Sequence, residues 1–175
     1  DLAEAHSNLL LGMHYNNYDA KNLFDEHTRW HDHHAEYLQP FLYRHTRSDE
    51  KGKRLNIGFV SADFRKHSAS YFLEPLFAAH NNKQHAFYCY FNSLQKDEAT
   101  ARLKGSVEEW REIANQEDHV VAEMIRADKI DILVDLSGHT KGNRLSVFAR
   151  KPAPIQVTWL GYPDTSGLEA MDYRL

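Results

Sequence analysis

Apolar positions follow one period in the first quarter of the chain and another in the rest. Leu2, Leu9, Leu10 and Leu11, with Ala3 and Ala5, predict a short helix from Asp1 to about Gly12 that contains His6. Asn16 and Asn17 break the pattern between Met13 and Tyr18. Asp19 can then cap a second helix reaching about Gln39, with Leu23, His27, Trp30, His34, Tyr37 and Phe41 at near-helical spacing and Pro40 at its end. Arg44 to Arg54 is charged, carries no apolar pattern and holds Gly52, so it reads as a linker. Residues 1–43 are therefore expected to be a helical appendage, 44–54 a linker, and 55–175 a separate lobe.

From Leu55 onward short apolar runs alternate with helical patterns. Leu55–Val60, His85–Phe91, Trp110–Ile113, Ile130–Leu136 and Ile155–Trp159 predict strands, rich in β-branched and aromatic residues. Tyr71–Ala79 (with Pro75 in its first turn), Asp97–Lys104, Val120–Ala127 and Asn143–Ala149 predict helices, and Asn81-Asn82-Lys83 a turn. Strands alternating with helices imply an α/β fold, a Rossmann-like parallel sheet covered on both faces. Three strands run straight into polar loops, Ser61–Ser70, Ser137–Gly142 and Gly161–Gly167, which such a sheet would open on one edge, where ligands bind. Ser68 or Ser70 is placed to cap the helix after the first loop, and the sheet stops abruptly at Leu175.

Composition narrows the class. The 175 residues are 42% hydrophobic and 26% charged, enough for a sizeable core. A formal net charge of −4 gives no electrostatic case for nucleic acid, and no apolar run approaches the ~20 residues of a membrane span. Cys89 is the only cysteine and cannot form an internal disulfide, which points to a reducing, cytoplasmic setting. No secretory leader opens the chain, and a start at Asp1 rather than Met points to a piece of a longer polypeptide.

In the first loop, Asp63 and His67 stand four residues apart: a carboxylate and an imidazole of the types that move protons, or, from the residues alone, a turn-capping aspartate and a capping or solvated histidine. His139 and Lys141 in the second loop could reach a phosphate or an acceptor, or form a solvated turn. The third loop could present N–H groups to a sugar or close as a plain turn. Among 12 histidines, His27/His31 has the i, i+4 spacing of zinc helices, but no cysteine or carboxylate motif completes a set, so no metal is expected. Tyr15, Tyr18, Trp30, Tyr37 and Tyr43 are expected to pack between appendage and sheet rather than stack on nucleic acid.

The runs DFRKHSASYF from Asp63, KIDILVDLSGHTKGNRL from Lys129 and RKPAPIQVTWLGYPDTSG from Arg150 resemble the amino-terminal catalytic lobe of the O-GlcNAc transferase family, which includes the SPINDLY-type protein O-fucosyltransferases. AHSNLLLGMHY resembles the junction between that family's tetratricopeptide (TPR) repeats and its catalytic region. The resemblance implies one lobe of a two-lobed GT-B enzyme and metal-independent inverting transfer to Ser/Thr of proteins. It also implies a donor, UDP-GlcNAc or GDP-fucose, held mainly by a carboxyl-terminal lobe absent from these residues. Isolated residues 1–175 would then fold without transferring sugar. Position by position, it implies that Asp63 and His67 lie beside the sugar, that Leu160 and Gly161 are backbone neighbours of the donor, and that His6 reaches the active site. Arg65-Lys66 and Ser68-Ala69 depart from the animal enzymes beside the sugar pocket, which leaves the donor open. From the residues alone, a non-catalytic module presenting protein acceptors is the alternative. A stand-alone nucleotide-binding domain is disfavoured by the lack of a glycine-rich phosphate loop after the first strand.

Overall fold

The computed structural model describes residues 2–41, 43–45 and 52–175. Its strands are β1 (Leu55–Ser61), β2 (His85–Phe91), β3 (Glu109–Glu112), β4 (Ile132–Asp135), β5 (Ile155–Thr158) and β6 (Tyr173–Arg174). The helices are α1 (Leu2–Met13), α2 (Ala20–His34), α3 (Ser70–Ala79), α4 (Glu98–Lys104), α5 (Asp118–Ala127) and α6 (Leu145–Ala149). The strands form one sheet in the order β3-β2-β1-β4-β5-β6, and every pairing is parallel. The chain leaves β1 in one direction and returns to β4 on its other side, the doubly wound, Rossmann-like arrangement.

Successive side chains of β1 serve opposite layers. Phe59 joins Leu73, Phe77, Phe87, Cys89 and Leu103 under α3 and α4, with ring centroids 5.1 Å from both Phe77 and Phe87. Burying a side chain of this size stabilises by about 1.5–3 kcal/mol. Cys89 is sealed in this layer, and burial pushes its thiol pKa up. Val60 faces the other layer with Ile125, Leu133 and Phe148, and Leu10, Trp30 and Leu38 of the amino-terminal helices belong to that same cluster. Gly58 lies on the Val60 side, where a Cβ would come within 2.9 Å of the Leu133 side chain and 3.0 Å of the Tyr90 ring, so a larger residue would make those side chains shift.

Several boundaries differ from the pattern-based expectation. Asp19 caps α2 by accepting from Asn22 N at 2.7 Å, but α2 ends at His34, and Glu36–Phe41 tightens into a 3-10 helix. Pro75 lies inside α3, not in its first turn. Neither Ser68 nor Ser70 caps α3: Ala69 holds the cap position without a side-chain bond, and the Ser70 hydroxyl donates to His67 O at 2.7 Å. Trp30 is buried as expected, whereas Tyr15, Tyr18 and Tyr37 are exposed. Of the linker, residues 46–51 lie outside the described residues. Before them, Tyr43 N donates to Arg150 O at 3.3 Å; after them, Lys53 pairs with Asp131 at 2.5 Å.

Candidate functional site

At the carboxyl edge of the sheet, where the connections from neighbouring β1 and β4 leave in opposite directions, the loops after β1 to β4 form a cleft of about 610 Å³. Its walls bring together Asp63, Arg65 and His67 of the first loop and Lys141 of the second, with Asn92 and Asn115 from the loops after β2 and β3.

The first loop is pinned at both ends. Buried Phe64 anchors it against Phe91 and Trp110. Asp63 N donates to the buried Ser61 Oγ at 2.9 Å. Further on, Asp97 Oδ2 accepts from Lys66 N at 2.6 Å while its Oδ1 accepts from Thr100 N at 3.0 Å, so one carboxylate caps α4 and tethers the loop. Those backbone N–H groups hold the Asp97 pKa below the usual carboxylate value. Asp63 Oδ1 accepts from Arg65 Nη2 at 3.0 Å, and its Oδ2 lies 3.9 Å from His67 Nδ1. Ala69 N donates to that Nδ1 at 3.3 Å, which in the neutral ring places the His67 proton on Nε2. Ser68 is exposed and does not line the cleft.

The second loop is held from within the sheet. The Asp135 carboxylate, fully buried at the end of β4, accepts from Ser137 N at 3.0 Å, Gly138 N at 2.9 Å and Thr158 Oγ1 at 2.9 Å. Burial raises its pKa against the pull of those donors. Lys141 is exposed on the cleft wall. The expectation that His139 contacts a ligand is corrected: its ring is fully buried and both nitrogens are spent inside the protein. Nε2 donates to Ser166 O at 2.9 Å, and Nδ1 accepts from Ser7 Oγ at 3.0 Å. Burial holds its pKa down to about 3, so the ring is neutral.

Arg144, just after the second loop, ties that loop to the ones after β2 and β3. It donates to Ile113 O (2.8 Å), Gln116 O (2.9 Å), Asp118 Oδ1 (2.7 Å) and Asn92 Oδ1 (2.9 Å), while Asn92 Nδ2 donates to Gly142 O at 2.8 Å.

The third loop does not line this cleft. Leu160 has φ +75° and Gly161 N donates to Trp159 O at 2.9 Å, a strained three-residue turn. Tyr162 is buried, and its hydroxyl lies 2.8 Å from His27 Nε2 and 3.0 Å from His14 Nε2. His6 is also away from the cleft walls: its Nε2 donates to Glu26 Oε1 at 3.0 Å, and its Nδ1 lies 3.1 Å from His34 Nε2. Among the described residues, no group of three or more His, Cys, Asp or Glu is placed to hold a metal ion. No described helix is long and apolar enough to cross a membrane.

Asp135, Asn92 and Arg144 shape the cleft without having stood out in the sequence. An aspartate inside the apolar run IDILVDL was the available signal for the first; the other two depend on contacts far apart in the chain.

A family model described as glycosyl transferase family 41 matches residues 10–175. Over its full length the chain is 39% identical to a Hordeum vulgare protein described as a probable UDP-N-acetylglucosamine–peptide N-acetylglucosaminyltransferase SPINDLY, covering 19% of it. Over 77% of its length it is 37% identical to a Caenorhabditis elegans UDP-N-acetylglucosamine–peptide N-acetylglucosaminyltransferase, covering 12% of that protein. A mutant of the Thermobaculum terrenum O-GlcNAc transferase superposes with a TM-score of 0.93 at 40% identity, over 99% of this chain and 34% of that one. The chain spans about a fifth of the length of the SPINDLY relatives it matches.

Proposed function

The chain belongs to glycosyl transferase family 41, and from that premise we propose that it forms the acceptor-side lobe of a two-lobed GT-B enzyme that transfers a sugar to Ser/Thr of proteins with inversion. TPR repeats before it and a carboxyl-terminal nucleotide-binding lobe after it complete the polypeptide in this reading, and the setting is cytoplasmic. The observation that carries the proposal is the convergence of Asp63, Arg65, His67 and Lys141 on one cleft at the point where the strand order reverses.

In the reaction, the acceptor hydroxyl oxygen bonds to the anomeric carbon as the bond to the nucleotide phosphate breaks, and the hydroxyl proton is released. His67, with its proton on Nε2, donates a hydrogen bond to the sugar or the acceptor, and Asp63, held by Arg65, orients the acceptor hydroxyl or relays the released proton, directly or through water. Such a contribution is typically about 10²–10⁴-fold. Arg65 and Lys141 place positive charge beside the departing phosphate. Leu160 and Gly161, which lie outside this cleft, meet the donor through their backbone in the assembled two-lobed enzyme. UDP-GlcNAc is the donor named for the relatives, and GDP-fucose is kept beside it because Arg65, Lys66, Ser68 and Ala69 depart from the animal pattern there. Residues 1–175 alone do not transfer sugar, because half of the cleft is supplied by the other lobe.

The test is mass spectrometry of acceptor peptides, and of the polypeptide itself, after incubating the full-length protein with UDP-GlcNAc and GDP-fucose separately. A mass gain from one donor, lost in an Asp63→Asn, His67→Ala double variant, is expected. Full turnover in that variant would sink the assigned roles. No gain from either donor by folded protein would leave an acceptor-binding module as the better reading, checked by peptide binding without a donor.

A further inference from the structure

Leu160 adopts a backbone conformation that L-residues avoid, and such a turn persists only where its surroundings over-determine it. The surroundings here are asymmetric. On the sheet side, a Cβ on Gly161 would stand 1.8 Å from Leu136 O, so the turn rests directly on the end of β4. On the other side the next residue, Tyr162, is gripped by the amino-terminal helices.

The proton pattern of that grip follows from its partners. His27 Nδ1 faces Leu23 O at 2.6 Å, and a carbonyl only accepts, so Nδ1 carries the proton and Nε2 is bare. The Tyr162 hydroxyl therefore donates to His27 Nε2, and His14 Nε2 donates to the Tyr162 oxygen. His27 is fully buried and burial lowers its pKa, which keeps it in this neutral, accepting form. Backbone packing reinforces the contact: a Cβ on Gly167, at the far end of the loop, would stand 2.2 Å from His27 O, and one on Gly138 would stand 2.3 Å from Tyr162 Cβ.

We propose that His27 and Tyr162 are a positioning pair, through which the helices before the sheet hold the strained Leu160–Gly161 turn in the geometry used for the donor sugar. Neither residue touches substrate; they act through the turn. The inference rests on the transferase reading for its kinetic consequence, but not for its structural one.

Two measurements on the full-length protein separate these. The first is hydrogen exchange at the Gly161 amide, which donates to Trp159 O at 2.9 Å in the turn. Tyr162→Phe, which keeps the ring and removes both hydroxyl bonds, is expected to speed that exchange about three- to ten-fold. The second is steady-state kinetics with the donor that the protein uses. Tyr162→Phe and His27→Leu are expected to raise KM for that donor by a similar factor at unchanged acceptor KM, while His27→Gln, which restores an acceptor for the hydroxyl, recovers most of the loss. A merely structural role would lower the active fraction and kcat without moving the donor KM. Unchanged Gly161 exchange in Tyr162→Phe, or equal behaviour of His27→Gln and His27→Leu, overturns the pair. Faster exchange in a protein that transfers neither sugar would uphold the pair and remove the transferase reading instead.

Discussion

The carboxylate of Asp135 accepts the Thr158 hydroxyl at 2.9 Å across neighbouring strands, directly opposite it in the β4–β5 register. The same carboxylate also holds Ser137 N and Gly138 N, so two strands and the second loop meet on one buried group. Asp135→Asn puts an amide N–H₂ against at least one of these donors. Asp135→Ala leaves all three without a partner. Leaving buried polar groups unpaired costs about 1–3 kcal/mol each, so the alanine variant is expected to lose at least about 3 kcal/mol and the asparagine variant less. Chemical denaturation checks the order. A Thr158→Val variant as damaging as Asp135→Ala would contradict it.

Buried His139 makes the fold sensitive to acid. Its pKa is held down to about 3 from an ordinary 6.5, so between these values the unfolded chain binds a proton that the folded chain does not. Stability is therefore fully present above about pH 6.5 and falls as pH drops through the window, by about 1.4 kcal/mol per pH unit for one such group, levelling off near pH 3. His27 and His34, lowered first by burial, add in the same direction, whereas Asp135, raised by burial, opposes them above its ordinary value of 3.8. Denaturation midpoints followed from pH 7 to pH 4 should show a shallower fall in His139→Gln than in the parent. Identical slopes would mean that the imidazole titrates freely in the folded state.

Arg144 offers a second point of failure, because no other cation can reproduce its fork. Arg144→Lys keeps the charge but cannot reach Ile113 O, Gln116 O, Asp118 and Asn92 at once. A loss of about 2–3 kcal/mol is expected. Weaker protection of the Gly142 region, tied in through Asn92, should accompany it in hydrogen exchange. Stability within about 0.5 kcal/mol of the parent would show that the guanidinium is only a surface charge.

The sheet was largely legible because β1, β2, β4 and β5 are buried runs of apolar residues, and burial on both faces writes itself as continuous hydrophobicity. β6 was not legible: its two residues, Tyr173 and Arg174, have no pattern and pair only because β5 offers a free edge. The α2 boundary was misjudged because spacing alone continues past Ala35, where φ of −129° stops the helix. The position of Asp63 and His67 at the sheet's carboxyl edge was legible because both sit in a loop at a strand end. His139 looked the same in sequence, a polar residue just after a strand, yet it turns inward to Ser7 and Ser166. Ser7, one of its two partners, is 132 residues away, and no local pattern encodes which way such a ring faces.

Gly161 and Gly105 provide a matched test of how the third loop packs. A Cβ on Gly161 would stand 1.8 Å from Leu136 O and 2.6 Å from its carbonyl carbon, both backbone atoms that cannot swing aside. A Cβ on Gly105, at the end of α4, would meet nothing closer than Ala101 O at 3.5 Å, and its φ of −73° suits any residue. Gly161→Ala must push the β5 loop off the end of β4 or strain both, and is expected to cost more than about 3 kcal/mol. Gly105→Ala should be neutral or stabilise by about 0.4–1 kcal/mol, since it restricts the unfolded chain without a clash. Thermal denaturation of the two variants side by side measures the contrast. Equal midpoints would show that the loop does not rest on β4, and would remove the support on which the strained Leu160 turn depends.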